Sequence, residues 1–255
     1  MLRGKFKIAN RFYGDSSVKN IIISRLVFWL INNRRKSLQK RYKGFNPGTK
    51  EVNVEQSAQE LKVLFEKGMD KLNIGGGDQN LKGFINIDWV KSPGVENQIV
   101  ANALDLSFIP SESISQVHSN HFVEHLTELQ FENHLKEYYR VLKPGGVVSI
   151  RCPNALGVCY GFFFEEKFKV NEEVLFTLGF PEDECVIHPL DGWQYKDLYG
   201  LYHWLWAVTG NPLNEHHQIV TPSRLDHSLS ISGFEIRYSS NPEWPNCIVI
   251  ASKPE

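Results

Sequence analysis

The sequence predicts an α/β fold built on a mainly parallel sheet, and three observations carry that expectation. Short apolar runs of strand length alternate with helical patterns or turns through the middle of the chain. A triple glycine, Gly75-Gly76-Gly77, closes the first of those runs. The composition, 42% hydrophobic and 22% charged over 255 residues, supplies a sizeable core and excludes a disordered, collagen-like or coiled-coil chain.

Each element follows from its residues. Residues 1–50 read as a basic arm holding one helix at about 18–42, and residues 46–53 (NPGTKEVN) as a linker broken by Pro and Gly. Ser57 with Glu60 forms a capping-box pattern that opens a helix running to Gly68. KLNIGGG is a strand entering a glycine turn, FINIDW a second strand, QIVANALDL a third and SQVHSN a fourth. Thr127 with Gln130 opens a helix that Lys143-Pro144-Gly145-Gly146 ends, and VVSIRCP is a fifth strand. The rhythm then stops for some 60 residues. Of the 31 aromatic residues, 13 fall in 160–206, and YKDLYGLYHWLWAV carries them at helical spacing. TPSRLDHSLSISGF is a last helix, and FEIRYSS and CIVIASK are two last strands.

The net charge of −1 conceals a split. Residues 1–50 hold 13 Lys and Arg against one acid, Asp15, and the rest of the chain holds 15 against 28. Such an arm suits an anionic membrane surface or the acidic body of its own chain. The apolar stretch IIISRLVFWLI is too short to span a bilayer, and no secretory signal is visible. Four cysteines without a CxxC pair suit a reduced, cytosolic chain.

Chemistry gathers at the strand ends. The glycine turn permits positive φ and lets a ligand press on bare backbone. Asp88 ends the second strand, where its two oxygens can take both hydroxyls of a ribose. Asp105 follows the third strand, where it can accept from an adenine amino group. Together these describe a nucleoside pocket across strand ends.

The stretch LNIGGG, GFINIDW, ALDLSFIP, SNHFVEHL and EYYRVLKPGGVVSIRCPN resembles the small class I S-adenosylmethionine (SAM)-dependent methyltransferases. It is most similar to compact members of glycan and lipopolysaccharide biosynthesis. The match covers residues 71–154, with a looser match through HHQIVTPSRLDHSLSISGFE and the final strand. The resemblance implies a Rossmann-like sheet of seven strands, the last one antiparallel, in a domain spanning 51–255. The basic helical arm and an aromatic helical insert at about 155–215 are additions to it. It implies SAM as cofactor, with Asn73 and Gly75, Gly76 and Gly77 at the methionine part. Asp88 would hold the ribose, with Trp89 also at the cofactor, and Asp105 and Leu106 would flank the adenine. Asn120 or His121 would face the sulfonium and the acceptor. Three departures stand out: Asn73 where the family often has an acid, Gln79 in place of a third spaced glycine, and a short link from Gly77 to the second strand.

His121 is the expected general base and His217 the next candidate, with His188 and His216 behind them. His121-Phe122-Val123-Glu124-His125 also matches an inverted zinc-protease motif. It falls at the family's strand-to-helix junction, so no metal site is expected there and His125 is read as satisfied by a backbone carbonyl. The insert fits a lid over the acceptor, with Trp193 and Tyr195 exposed beside Asp191.

The expectation is a cytosolic, membrane-peripheral methyltransferase that O-methylates a saccharide or glycolipid precursor. Residues 18–43 would touch anionic membrane, and nucleic acid is not expected as a partner. The alternatives are a methyltransferase of a small aromatic or amine metabolite, and an inactive SAM-fold module that binds a partner in glycan assembly.

Overall fold

The protein is seen in a computed structural model that describes residues 53–164, 215–240 and 246–255, together with Arg25 and Leu205. The chain separates into two units, Met1–Lys43 and Gly44–Glu255, and every element below belongs to the second. The arm helix and most of the aromatic insert lie outside the described residues.

Helix α1 (Val54–Glu66) begins three residues before the expected Ser57. Asn53 caps it, its side chain accepting from the Gln56 amide at 3.1 Å, and Ser57 Oγ turns back onto the Asn53 carbonyl at 3.2 Å. An asparagine at the N-cap is as good as serine, so the earlier site wins. Gly68, at φ 78°, stops the helix as expected.

Seven strands follow: β1 (Lys71–Ile74), β2 (Ile85–Asp88), β3 (Gln98–Val100), β4 (Ile114–Asn120), β5 (Leu142–Pro153), β6 (Glu235–Ser239) and β7 (Asn246–Ser252). They form one sheet in the order β3-β2-β1-β4-β5-β7-β6. β1 pairs parallel with β2 and β4, β2 with β3, and β4 with β5; β7 runs antiparallel to both neighbours. The last strand is the reversed one, as expected.

Two strand boundaries differ from the sequence reading. β3 ends at Val100, because Asn102 folds the chain over, accepting from the amides of Leu104 (side chain, 3.0 Å) and Asp105 (carbonyl, 2.9 Å). β5 starts before the Pro-Gly-Gly segment, which forms a bulge: Ile114 pairs with Leu142, and the next pair is Gln116 with Val147. Gly145, at φ 73°, allows that bend.

Helix α2 (Glu128–Val141) has the reciprocal capping box of Thr127 and Gln130. Helix α3 (Ala155–Phe164) follows β5 and covers the first residues of the expected insert. Helix α4 (Pro222–Ile231) is capped by Thr221 with Pro222 in its first turn. Leu72, Ile74, Ile85, Ile87, Ile99, Val117 and Val148 are wholly buried in the sheet. Leu61 of α1, Phe131, Leu135 and Tyr138 of α2, and Leu225 and Leu229 of α4 join the same core. Continuous apolar strands are what a covered parallel sheet requires. Among the described residues no helix is long and apolar enough to cross a membrane.

Candidate functional site

β1 has parallel neighbours on both sides, so its carboxyl end borders the point where the strand order reverses, the usual place for a ligand crevice. The glycine turn sits there. Gly75, at φ 68°, donates its amide to the Ile87 carbonyl at 2.8 Å, and a Cβ on it would overlap the Phe122 ring. A Cβ on Gly76 would overlap the Asn73 amide. Gly77, at φ 59°, differs: a Cβ there would meet nothing within 4 Å. Its amide donates to Asp88 Oδ2 at 3.0 Å, while Asp88 Oδ1 accepts from the Val90 amide at 3.1 Å. Asp88 is thus locked against the turn from which its strand end is eleven residues removed in sequence.

Two side-chain oxygens at this end are buried without a donor. Asn73 Nδ2 donates to Asn86 Oδ1 at 3.0 Å, leaving Asn73 Oδ1 unpartnered. Asn120, at the end of β4, reaches Gln79 Oε1 with its Nδ2 at 3.4 Å and leaves its own Oδ1 unpartnered. A buried acceptor without a donor costs about 1–3 kcal/mol, so such atoms mark places that a ligand completes.

Beyond Asn120 the chain turns sharply. His121 has φ 52°, an uncommon backbone state for a residue with a side chain and one that collects at functional sites. Its amide is held by the Arg151 carbonyl at 2.9 Å. Its ring Nδ1 lies 3.3 Å from Glu124 Oε1; the imidazole is 42% exposed and the carboxylate 2%. Burial pushes the Glu124 carboxyl up, but the His121 contact and the surrounding histidines outweigh it and hold the carboxyl below its ordinary value. His125 places Nδ1 3.2 Å from the Glu215 carbonyl, and His216 places Nδ1 3.0 Å from the Leu205 carbonyl. Burial brings His216 down to about 4. The segment carrying His216 is tied to the turn: the amides of His217 and Gln218 donate to the Glu124 carbonyl at 2.8 and 3.3 Å, and Gln218 Nε2 to the Val123 carbonyl at 2.7 Å.

A family model described as a methyltransferase domain matches residues 82–150. With its strand order and reversed last strand, the chain has the architecture expected of a class I SAM-dependent methyltransferase.

Several solved methyltransferases are similar to it. A putative SAM-dependent methyltransferase from Listeria monocytogenes is 16% identical over 78% of this chain and 99% of its own, with a TM-score of 0.44. A SAM-dependent methyltransferase from Archaeoglobus fulgidus is 16% identical over 85% and 98%, at 0.44. The 1,6-didemethyltoxoflavin-N1-methyltransferase of Burkholderia thailandensis, solved with 1,6-didemethyltoxoflavin and S-adenosylhomocysteine, is 12% identical over 87% of each chain, at 0.44. A search of curated proteins finds no significant match.

SAM is the cofactor that the resemblance implies, and the residues present at these strand ends fit it. Gly77 offers bare backbone facing open space, Asp88 offers two carboxylate oxygens, and the orphaned Asn73 Oδ1 offers an acceptor suited to an ammonium group. Gly75 and Gly76 are needed for packing as well, since Phe122 and Asn73 occupy the space a side chain would take. Trp89 is half-buried beside Asp88. Asp105 is exposed and turns its Oδ1 to the Ser107 amide at 3.1 Å. Leu106 departs from the expectation: it is wholly buried in the hydrophobic core and offers a ligand no exposed surface.

The structure brings His121, His125, His216 and His217 together around Glu124. His118 is a core residue, wholly buried with Nδ1 2.7 Å from Ser149 Oγ. His125 meets a backbone carbonyl, as expected. Sequence reasoning passed over Glu124 as a partner, although the i,i+3 spacing of His121 and Glu124 on one turn was the available signal. His188, Asp191, Trp193 and Tyr195 lie outside the described residues.

Proposed function

We propose that this methyltransferase O-methylates a hydroxyl of a saccharide or glycolipid precursor, with His121 as general base. The observation that carries the O-methyl reading is the His121–Glu124 pair. An amine attacks through its own lone pair, whereas a hydroxyl must lose a proton, and a histidine backed by a carboxylate is built for that removal. The saccharide assignment draws on the resemblance to glycan-pathway enzymes and on the aromatic-rich insert, whose ring faces suit sugar rings.

SAM, when bound, supplies an electrophilic methyl group. The protein's own part is to hold and to deprotonate. Asp88, Gly77 and Asn73 bind and orient the cofactor. Glu124, buried and ionised, lies with Oε1 3.3 Å from His121 Nδ1, so its charge favours the tautomer with the proton on Nδ1 and the lone pair on Nε2. Nε2 then takes the hydroxyl proton as the oxygen forms its new bond, and the imidazolium that results is stabilised by the same carboxylate. Alignment of the reactants contributes up to about 7–11 kcal/mol, and a positioned base about 10²–10⁴-fold. His217 is the second candidate for the base. Residues 18–43, with the apolar stretch from Ile21 to Ile31 and six cations from Arg34 to Lys43, hold the enzyme at a cytosolic anionic membrane where a lipid-linked acceptor lies.

The test is transfer of an isotopically labelled methyl group from SAM, followed by mass spectrometry of saccharide, glycolipid and small-metabolite fractions. Label in a base-stable sugar methyl ether is expected. Label confined to amines or aromatic metabolites overturns the reading, as does the absence of transfer from a protein that binds SAM.

A further inference from the structure

Glu124, His125 and His216 converge: one ligand-type atom from each lies within 4.8 Å of the others. Glu124 is 2% exposed and neither of its oxygens has an aligned hydrogen-bond donor; Oε1 faces His121 at ion-pair distance, and Oε2 has no partner. A carboxylate in that position is among the costliest groups to bury uncompensated. The two histidines are arranged in a complementary way. Each has Nδ1 against a main-chain carbonyl, Glu215 for His125 and Leu205 for His216. A carbonyl only accepts, so both Nδ1 atoms carry the proton and both Nε2 atoms carry a lone pair. Metal-bound histidines are held in this way, their second ring nitrogen donating to a carbonyl or carboxylate. The rings meet edge to face with centroids 5.0 Å apart.

We propose that Glu124, His125 and His216 form a binding site for a divalent transition-metal cation on the acceptor side of the pocket, with His121 at its open edge. Two imidazoles and a carboxylate are a ligand set for ions such as zinc, manganese or cobalt; magnesium and calcium prefer all-oxygen shells. Bonds of about 2.0–2.2 Å place neighbouring ligand atoms roughly 3.3 Å apart, so small side-chain rotations close the cluster on an ion. Three protein ligands leave positions open, the pattern of a catalytic rather than a structural site. A hydroxyl or water entering an open position is polarised and loses its proton more readily, which would assist His121. This role rests on the O-methylation reading; the binding itself does not. The HxxEH string that sequence reasoning set aside as a protease motif thus contributes ligands in another setting, completed by a histidine 91 positions beyond His125.

Cobalt(II) titration of the untagged, metal-stripped full chain tests the site, read by visible ligand-field absorption without SAM or acceptor. One equivalent is expected to bind and to be displaced by zinc. Glu124→Gln and His216→Gln should each weaken binding at least tenfold, about the effect of disturbing a metal's supporting shell. His227→Gln, an exposed histidine outside the cluster, should leave it unchanged. Circular dichroism checks that the variants fold, and His125→Gln replaces either one that does not. A wild-type chain that binds no cobalt overturns the site and leaves the methylation reading intact. So does binding that persists in the cluster variants. Stoichiometric binding lost in those variants supports the site even if no hydroxyl is methylated, an outcome that would overturn only the reading of function.

Discussion

Gly77 and Asp88 show how single residues set the geometry at the ends of β1 and β2. The Gly77 amide holds Asp88 Oδ2 at 3.0 Å, so the carboxylate is in place before a ligand arrives. Asp88→Ala is expected to weaken SAM binding by about 1.5–3 kcal/mol, roughly 10–150-fold, as calorimetry would show. Gly77→Val should reduce SAM affinity in a protein that still folds, because its Cβ enters open space, though φ 59° adds strain. Gly75→Val should destabilise the fold itself, because Phe122 occupies that space. Denaturation midpoints and SAM affinities measured on both variants separate the two effects; equal loss of stability would contradict the distinction. The sequence made the glycine turn and Asp88 legible, since both depend on local backbone and a short loop. It left Glu124 unread as a partner, because that role arises only when His121 adopts positive φ and when the segment at His216, some ninety residues on, closes against the turn.

Helix α2 illustrates what an element contributes. Its start was written in Thr127 and Gln130, and its buried face carries Phe131, His134, Leu135 and Tyr138. His134 is the exception on that face: fully buried, with neither ring nitrogen partnered, between the rings of Phe122 at 5.4 Å and Tyr138 at 4.3 Å. Burial lowers its pKa from 6.5 to about 3. The unfolded chain therefore takes up a proton below about pH 6.5 that the folded chain refuses until about pH 3, and stability falls as pH falls through that window. The slope from one such group is at most about 1.4 kcal/mol per pH unit. His134→Phe should flatten the acid dependence of urea unfolding between about pH 6.5 and pH 5 relative to wild type. Parallel curves for the two proteins would contradict the assignment. Strand existence was legible from apolar runs, whereas the ends of β3 and β5 were not. Asn102 stops the one by a local side-chain turn, and the other runs through its Pro-Gly-Gly segment because β4 and the chain end supply partners that no local pattern reveals: the Gly145 amide and the Gly146 carbonyl both bond Lys253.

For the molecule as a whole, the sheet order places the residues proposed for cofactor and acceptor on adjacent strand ends. The glycine turn follows β1, Asp88 ends β2, Asn120 ends β4 and His121 follows it, so a ligand across those ends would touch all three. The charge split between the arm and the rest of the chain acts at this scale. Each cation near an anionic surface contributes about 1 kcal/mol, screened within a Debye length of about 8–10 Å. Vesicle flotation should therefore require anionic lipid, fall with salt and vanish when residues 1–45 are deleted; a truncated protein that floats like the full chain would contradict the membrane role of the arm.

The central claim is that one end of the pocket binds SAM while His121 acts on the acceptor, and His121→Ala separates the two. SAM affinity by calorimetry and turnover in the labelled-methyl assay are measured on the same preparation. The account predicts SAM affinity within about threefold of wild type and turnover lower by about 10²–10⁴-fold. Turnover within about threefold of wild type would remove His121 from proton transfer, and a matching loss of SAM affinity would make it a cofactor-binding residue instead.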